Sequence, residues 1–338
     1  MKALVTGGGG FLGRGIVHAL LGEGHTVRTL TRGEYPELKK AGVQTMQGDI
    51  ADADAVNNAV DGCDVVFHVA AKVGAAGAYE DFQRTNVVGT RNVLEACRTY
   101  AVERLVYTST PSVVFGHEDL EGVDESHPYP AEYDAFYPQT KAEAEKLVMA
   151  ANGTALKTVC LRPHIIWGPG DTSLLPRLRQ RADKLRRIVT AGAPKKMDIT
   201  FIDDAIAAHL LAATALDARP EEVGGKAYFI SSGEPVEIWP FIDKVLEATG
   251  KSPVRGSAPR GIALAAGWVF ETAHKLRGAP GEPRMSRWIV RELTTSHWFD
   301  ISAARRDLSY EPQVSLQAGL ERLSTWWEAD DTAVSSPT

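Results

Sequence analysis

A glycine-rich segment near the start of the chain limits the possible folds more than any other feature. The residues TGGGGFLG occupy positions 6–13, after the apolar run Lys2–Thr6 and before apolar residues at helical spacing. A glycine loop between a first strand and a first helix is typical of a dinucleotide-binding βαβ unit. There Gly7 would allow a tight turn, Gly10 would let the backbone approach a pyrophosphate, and Gly13 would let the helix pack closely on the strand. A glycine-rich turn without a ligand is the alternative, and this placement disfavours it.

Strands and helices alternate along the first half of the chain. Further strands are predicted at Thr26–Thr31, Val43–Met46, Asp64–Val69, Arg104–Thr108 and Thr158–Leu161. The segments between them have helical spacing, and this alternation is typical of a doubly wound parallel sheet with helices on both faces.

The pattern changes after about residue 163, where helical segments are interrupted by Gly and Pro. The segment Asp203–Leu216 is predicted to be a helix, and Lys226–Ile230 a strand that rejoins the sheet. We therefore expect an α/β fold with a dinucleotide-binding Rossmann domain at residues 1–163. A smaller, mostly helical C-terminal substrate lobe is expected at residues 164–330, with segments near 203–230 returning to the first domain.

The end of the second strand bears on the choice of cofactor. Sites that prefer NAD usually carry Asp or Glu there, to bind the ribose 2′-hydroxyl. Here the chain carries Arg32, whose planar fork of donors suits a 2′-phosphate. The sequence therefore favours NADP(H), with NAD(H) as the alternative. Asp49, which precedes Ile50 at the end of the third strand, is expected either to bind the adenine or to cap the next helix.

Tyr137 and Lys141 are spaced to share one face of a predicted helix that ends near Ala151. A phenol is a poor base at neutral pH, but a nearby ammonium and a positive nicotinamide would lower its pKa. Tyr137 could then exchange a proton with a substrate oxygen while a hydride moves to or from carbon.

Hydroxyl side chains stand at the predicted carboxyl end of the fifth strand, which faces the ligand crevice of an open parallel sheet. A hydroxyl there could stabilise charge that develops on a substrate oxygen. We prefer Thr110 for this role and keep Ser109 as the alternative. A strand-end turn with locally bonded hydroxyls is the rival interpretation.

Composition excludes several classes of function. The formal charge of −6 argues against a nucleic-acid partner, and no apolar stretch reaches the roughly 18 residues of a membrane span. Three separated cysteines suit reduced core thiols, and the sequence shows no metal-ligand cluster and no signal peptide. We therefore expect a cytoplasmic protein without a bound metal.

Five motifs together resemble the extended short-chain dehydrogenase/reductases across residues 1–325. These are TGGGGFLG at 6–13, HVAA at 68–71, NVVGTRNVLEAC at 86–97, YTST at 107–110 and YPQTK at 137–141. The resemblance implies a catalytic tetrad on Asn86, Thr110 (or Ser109), Tyr137 and Lys141. It implies that Lys141 also holds the nicotinamide ribose, and that Phe115-Gly116 stands one residue later than in many relatives. The implied cofactor-binding residues are Gly7, Gly10, Phe11, Leu12, Gly13, Arg32, Asp49, Ile50, Val69, Ala70, Ala71, Tyr137, Lys141 and Pro163.

Within that superfamily the phrases LRPHIIWGPGD at 161–171 and HWFDIS at 297–302 are similar to the 3β-hydroxysteroid dehydrogenase-like branch. Bacterial 2-alkyl-3-oxoalkanoate reductases of olefin (β-lactone) biosynthesis share them most clearly, and they reduce a 3-keto group on a lipid-like acid with NADPH. The resemblance thus implies an NADP(H)-dependent oxidoreductase with a small, lipid-like substrate, compatible with a homodimer. A sterol or 3β-hydroxysteroid dehydrogenase and a nucleotide-sugar epimerase or dehydratase are the alternatives.

Two further features allow more than one interpretation. His164 and Trp167 follow the sixth strand, where they could contact a substrate or pack in the core. The apolar helix predicted at Ile262–Leu276 is expected to pack in the core or against a second copy, rather than on an acyl chain or a membrane surface.

Overall fold

A computed structural model describes residues 1–277 and 283–335 of the chain. The strands of the described residues are, in chain order, β1 (Lys2–Thr6), β2 (Thr26–Thr31), β3 (Gln44–Gln47), β4 (Val65–His68), β5 (Arg104–Thr108), β6 (Leu120–Val123), β7 (Lys157–Pro163), β8 (Ile166–Trp167), β9 (Arg187–Val189), β10 (Lys196–Met197), β11 (Thr200–Phe201), β12 (Lys226–Ile230), β13 (Val236–Glu237), β14 (Ser257–Pro259) and β15 (His297–Phe299).

The helices of the same residues are α1 (Phe11–Gly22), α2 (Pro36–Lys40), α3 (Ala53–Val60), α4 (Tyr79–Phe82), α5 (Gly89–Thr99), α6 (Phe136–Ala151), α7 (Leu174–Arg181), α8 (Ile202–Ala218), α9 (Pro220–Val223), α10 (Ile238–Ala248), α11 (Arg260–Arg277), α12 (Arg287–Glu292), α13 (Ser302–Leu308) and α14 (Leu316–Ser335). A π-helical segment, Gln83–Val88, leads into α5, and short 3₁₀ turns occupy Pro111–Val114 and Ala182–Lys184.

Seven parallel strands form the central sheet in the order β12-β7-β5-β4-β1-β2-β3. The predicted doubly wound Rossmann fold is confirmed, and the strands β2, β5 and β12 begin and end at the predicted residues. The chain crosses from β3 back to β4 on the far side of β1, so the strand order reverses between β1 and β4. A crevice opens at such a reversal, outside the carboxyl ends of the strands.

Alternate residues of each strand enter opposite apolar layers, because successive side chains of a strand point to opposite faces. Ala3 and Val5 of β1 pack in one layer with Ile16 of α1. Leu4 enters the other layer with Val93 of α5. Because both faces of the sheet are buried, an inner strand such as β4 is a continuous apolar run and does not alternate between apolar and polar residues.

The second half of the chain contributes to the sheet and also builds a helical C-terminal region. β12 pairs with β7 as the last strand of the sheet, and α8 packs against α1, β5 and β7. A small second sheet, in the order β13-β10-β15-β6, joins residues from the two halves of the chain. The helices α7, α10, α11, α12 and α14 belong to the C-terminal region.

The helix predicted to begin at Asn86 begins earlier in the structure. Residues Gln83–Val88 are π-helical, and Asn86 lies inside that segment rather than at a helix start. π-Helical turns are rare and concentrate at functional sites.

A buried ion pair joins α6 to β7. Arg162 and Glu145 are 3% and 0% exposed, and two hydrogen bonds of 3.0 and 2.7 Å join the guanidinium to the carboxylate. The Tyr129 hydroxyl donates a further hydrogen bond of 2.7 Å to Glu145. Burial alone would lower the pKa of Arg162, but the Glu145 carboxylate raises it above its ordinary value, so the buried guanidinium keeps its charge.

We predict that Glu145→Gln lowers the free energy of unfolding by about 3–5 kcal/mol, since it leaves the Arg162 charge buried without a counter-charge. The matched control is Glu221→Gln, which breaks the pair between Lys157 and Glu221, whose side chain is 85% exposed. That change should cost about 0–1 kcal/mol. Urea denaturation measures both, and equal losses in the two variants would contradict the role given to the buried pair.

Candidate active site

A cleft of about 660 Å³ lies at the carboxyl ends of the central strands. Every residue that the sequence predicted to bind the cofactor lines this cleft, as do Ser109 and Thr110. The cleft therefore brings together the glycine loop, the ends of β2 and β5, and the start of α6.

The glycine loop has the geometry that a dinucleotide requires. Gly7 has a φ of +71°, which L side chains rarely adopt. A Cβ on Gly13 would stand 2.3 Å from the Gly7 carbonyl oxygen, so only glycine lets α1 pack this closely. Helix α1 begins with no side-chain cap and no acidic residue in its first turn. Its free N–H groups face the cleft and fit a pyrophosphate.

Two further glycines of the loop have steric roles that the sequence did not reveal. A Cβ on Gly9 would stand 2.1 Å from the ring of Tyr35, and one on Gly8 would stand 2.2 Å from the Thr29 hydroxyl. The Gly8 N–H also donates to that hydroxyl at 3.1 Å. Tyr35 thus lies over the loop and lines the cleft, although a single tyrosine after a strand carries no sequence pattern that predicts this.

The end of the cleft near β2 and β3 carries Arg32 and Asp49. Arg32 is exposed and lines the cleft. Asp49 accepts from the backbone N–H of Ala51 at 3.0 Å and pairs with Arg84 at 3.0 Å. The interpretation of Asp49 as a helix cap is wrong, because Asp52 caps α3 by accepting from two backbone N–H groups. Asp49 is therefore a residue of the cleft wall, and its contact with adenine stays a prediction.

A buried hydrogen-bond network holds the backbone after β4 against β1. The Thr6 hydroxyl accepts from the N–H groups of Val69 and Ala70, both at 3.1 Å, and contacts His68 Nδ1 at 2.8 Å. His68 Nε2 contacts the Thr90 hydroxyl at 3.0 Å. Burial lowers the pKa of His68 to about 3, so this imidazole is neutral and serves to fix the cofactor-facing backbone.

Tyr137 lies in the first turn of α6 and faces the cleft. Nearby in the same cleft wall is the side chain of Thr110, which caps the 3₁₀ turn after β5. We expected a lowered pKa, but burial raises the pKa of Tyr137 to about 12, and the Thr110 side chain only partly offsets this effect. Without a bound cofactor the phenol therefore holds its proton firmly.

Lys141 lies one helical turn further and is 2% exposed. Its Nζ donates to the Thr108 carbonyl oxygen at 2.6 Å and lies 4.1 Å from the centre of the Tyr107 ring. Burial lowers the pKa of Lys141 to about 7. The Lys141 side chain is thus held at the end of β5. At neutral pH a part of the Lys141 side chains is uncharged.

Asn86 is set apart from the other members of the predicted tetrad. Its amide accepts from the Lys72 N–H at 2.7 Å and donates to the Lys72 carbonyl and the Thr140 hydroxyl, both at 3.0 Å. Asn86 therefore fastens the segment after β4 to α6. The structure brings Thr110, Tyr137 and Lys141 together and gives Asn86 a positioning contact instead.

The two candidate hydroxyls differ in their contacts. The Thr110 hydroxyl lies 3.1 Å from the Ser112 hydroxyl, and the Thr110 side chain lowers the pKa of Tyr137 against the effect of burial. The Ser109 hydroxyl is buried and makes no hydrogen bond within the described residues. These contacts favour Thr110 over Ser109 as the partner of the phenol.

His164 and Trp167 follow β7 but have different surroundings. His164 lines the cleft, and its Nε2 lies 2.6 Å from Nδ1 of His297. Burial lowers the pKa of both rings, so the pair is neutral. Trp167 is 1% exposed and packs edge-on against Phe201 and Phe241, at ring distances of 5.2 and 5.4 Å. It belongs to the core, and the expectation that it contacts a substrate is not supported.

Helix α12 brings two residues to the cleft that the sequence did not predict. The Trp288 ring lies 6.3 Å from the Tyr137 ring, and Glu292 lines the same wall. Burial raises the pKa of Glu292 to about 8, and a hydrogen bond with Trp288 partly offsets the shift. At neutral pH this carboxyl is therefore mostly protonated. Only the tertiary fold unites α12 with Tyr137, so no local pattern could have indicated it.

The described residues contain neither a metal-binding cluster nor a membrane-spanning helix. Residues 1–277 and 283–335 contain no cluster of three or more His, Cys, Asp or Glu side chains arranged to hold a metal ion. None of the helices in these ranges has both the length and the apolar character needed to cross a bilayer.

Comparisons with known proteins agree with the geometry of the cleft. The model of the 3-beta hydroxysteroid dehydrogenase/isomerase family matches residues 4–256. A 2-alkyl-3-oxoalkanoate reductase of Stenotrophomonas maltophilia (strain K279a) is 45% identical over 325 residues, which cover 96% of this chain and 98% of that protein. A 3 beta-hydroxysteroid dehydrogenase/Delta 5-->4-isomerase of Mycobacterium tuberculosis (strain ATCC 25618 / H37Rv) is 37% identical over 334 residues, or 94% of this chain and 88% of that protein.

Solved structures share the fold at lower identity. MoeE5 in complex with UDP-glucose and NAD has a TM-score of 0.73 and 23% identity, covering 98% of this chain and 99% of that one. The epimerase Mth375 from Methanothermobacter thermautotrophicus has a TM-score of 0.76 and 24% identity, covering 99% and 94%. At this identity the likeness shows a common fold.

We predict that Gly13→Ala weakens NAD(P)H binding about tenfold or more, because the added methyl overlaps a backbone oxygen and forces α1 away from the loop. Fluorescence titration with NADPH and with NADH measures the change. The matched control is Gly22→Ala at the other end of α1, where a Cβ meets nothing within 4 Å. Equal affinities in the two variants would refute the role of the close contact.

Proposed function

The chain belongs to the 3-beta hydroxysteroid dehydrogenase/isomerase family, an NAD(P)-dependent branch of the extended short-chain dehydrogenase/reductases, and on that premise we propose a specific activity. We propose that it reduces the 3-keto group of a 2-alkyl-3-oxoalkanoate or a similar lipid-like acid, with NADPH as the preferred cofactor. The 45% identity to a reductase of that name, over nearly the whole of both chains, is the main support for this substrate class.

The single observation that carries the chemistry is the convergence of Tyr137, Lys141 and Thr110 on the wall of one cleft. Burial raises the pKa of this phenol to about 12, so Tyr137 is protonated at neutral pH. Reduction needs such a proton, because a carbonyl oxygen gains a proton as its carbon gains a hydride. The phenol of the unliganded site therefore carries the proton that reduction consumes.

Each residue of the site then has a definite task. Tyr137 holds the proton that passes to the substrate oxygen, and Thr110 hydrogen-bonds the same oxygen as negative charge develops there. The carbonyl of Thr108 and the Tyr107 ring fix the Lys141 ammonium at the end of β5, where it would hold the nicotinamide ribose. A bound NADPH supplies the hydride. Asn86 acts through the backbone of Lys72, which it holds in position.

The walls of the cleft near Tyr137 support an apolar substrate. Ile165, Ile166 and Trp288 line this part of the cleft, and the neutral form of Glu292 removes a charge that would oppose an alkyl chain. Ile165 has a φ of +37°, which is strained for a β-branched residue, and such strain concentrates at ligand sites.

We predict that Tyr137→Phe lowers the rate of 2-alkyl-3-oxo acid reduction about a hundredfold to ten-thousandfold, because the proton donor is lost. NADPH oxidation measures the rate, and NADPH affinity should change little. The matched control is Tyr133→Phe, whose hydroxyl donates to the Val113 carbonyl outside the cleft and whose loss should leave turnover unchanged.

The same assay tests the substrate class. A 3β-hydroxysteroid with NAD(P)⁺ serves as the competing substrate, because a steroid dehydrogenase is also among the relatives. Full activity of Tyr137→Phe would disprove the mechanism, and turnover of the steroid without turnover of the 3-keto acid would disprove the substrate class.

We predict that Arg32→Ala lowers kcat/KM for NADPH about tenfold while leaving that for NADH nearly unchanged, since only NADPH carries a 2′-phosphate for the guanidinium to bind. Steady-state assays with both cofactors measure the ratio. Lys39→Ala, an exposed cation on α2, is the control. A wild-type enzyme that prefers NADH, or an equal loss with both cofactors, would contradict the assignment.

A further inference from the structure

Helix α11 displays an apolar face that the described part of the chain leaves uncovered. Ile262, Trp268, Val269 and Leu276 are 63%, 56%, 53% and 82% exposed. Their spacing places them along one side of the helix. Of the two expectations for this helix, packing in the core does not account for these exposed residues, so a contact with a second copy, an acyl chain or a membrane surface is left. Isolated exposed apolar residues are normal, but a continuous face of them marks an interaction surface.

The opposite side of α11 is firmly held by the protein. Ala263 is buried in a small cluster with Ile188 and Val290. Gly267 lies so close to α12 that a Cβ would stand 3.0 Å from the Arg287 backbone nitrogen, and Glu271 accepts two hydrogen bonds of 2.7 Å from Arg287. The exposed face therefore belongs to a docked helix and not to one that has separated from the body.

Basic residues are concentrated in α11 and in the strands β9 and β14 that it contacts. The segments 183–189 and 251–277, which contain β9, β14 and α11, carry eight Lys or Arg residues and two Asp or Glu residues, a formal charge of +6. The whole chain has a net charge of −6, so the basic residues are strongly segregated. The exposed members are Lys184, Arg186, Arg255, Arg260, Lys275 and Arg277.

We propose that this surface binds the interface of an anionic lipid bilayer, with α11 lying in the plane of the membrane. Apolar side chains on one face of a helix, including a tryptophan, enter the boundary between headgroups and acyl chains. Flanking Lys and Arg residues add attraction to anionic headgroups. A second copy of the chain is a poorer occupant, because a symmetric dimer would bring two faces of the same positive charge together.

The position of the surface connects it to the cleft. α11 packs on α12, and α12 carries Trp288 and Glu292, which line the cleft beside Tyr137. If the substrate is the lipid-like acid of the proposed function, the docked enzyme would receive it from the bilayer one helix away. Membrane binding itself does not depend on that substrate.

Flotation of the full chain with vesicles tests the proposal directly. The chain should float with phosphatidylglycerol vesicles at low salt, remain unbound with phosphatidylcholine vesicles, and dissociate from the former as salt is raised. The double variant Trp268→Ser/Val269→Ser should bind phosphatidylglycerol about tenfold or more weakly. Lys275→Gln/Arg277→Gln should lose about fivefold in affinity per charge removed. Tyr100→Ser removes an exposed aromatic residue at the end of α5 and should bind as the wild type does.

Three results would overturn the proposal. These are no flotation with phosphatidylglycerol, flotation that the α11 variants do not alter, and a wild-type dimer in sedimentation velocity that Trp268→Ser/Val269→Ser converts to a monomer. The last result would identify the face as a contact between copies. NADPH oxidation with a short-chain, water-soluble 3-keto acid should stay at the wild-type rate in the α11 variants, so failure of docking and failure of the proposed function are distinguishable.

Discussion

The attachment of α6 to the carboxyl end of β5 is the contact on which the rest of the site depends. Lys141 reaches the Thr108 carbonyl at 2.6 Å, and one turn earlier Tyr137 lines the same cleft as Thr110. The buried pair of Glu145 and Arg162 holds the same helix to β7, one strand further along the sheet. Tyr137 and Lys141 thus stand on a helix, Thr110 follows the end of β5, and helix–sheet packing fixes their separation.

Burial sets the protonation states of the cleft before any ligand arrives. It raises the pKa of Tyr137 to about 12 and of Glu292 to about 8, and it lowers the pKa of Lys141 to about 7. All three shifts favour the neutral form, as expected where desolvation dominates over pairing. Such a site suits an uncharged carbonyl with an alkyl chain. It also holds a proton on the phenol until positive charge in the bound cofactor makes release favourable.

The sequence predicted those features that depend on local patterns. Apolar runs located β5 and β12 to the residue, and the glycine loop was recognisable because its spacing follows from backbone geometry. Tyr35, Trp288 and Glu292 escaped prediction, since only tertiary packing brings them to the cleft. Trp167 was ambiguous for the same reason: a tryptophan after a strand can face either the core or the crevice. The sequence of α11 resembles that of a core helix, because hydropathy does not show which apolar side of a helix lacks a packing partner.

Titration of the Tyr137 phenol tests the central claim most directly. The ultraviolet absorbance of tyrosinate is followed with pH in the wild type and in Tyr137→Phe, and the difference between them reports this phenol alone. Without cofactor, the account predicts that the difference stays absent until the pH approaches the pKa of about 12 that burial imposes. With NADP⁺ bound, the midpoint should fall by about one to three units, because a positive charge beside the ring favours the phenolate. An identical midpoint with and without NADP⁺ would contradict the account.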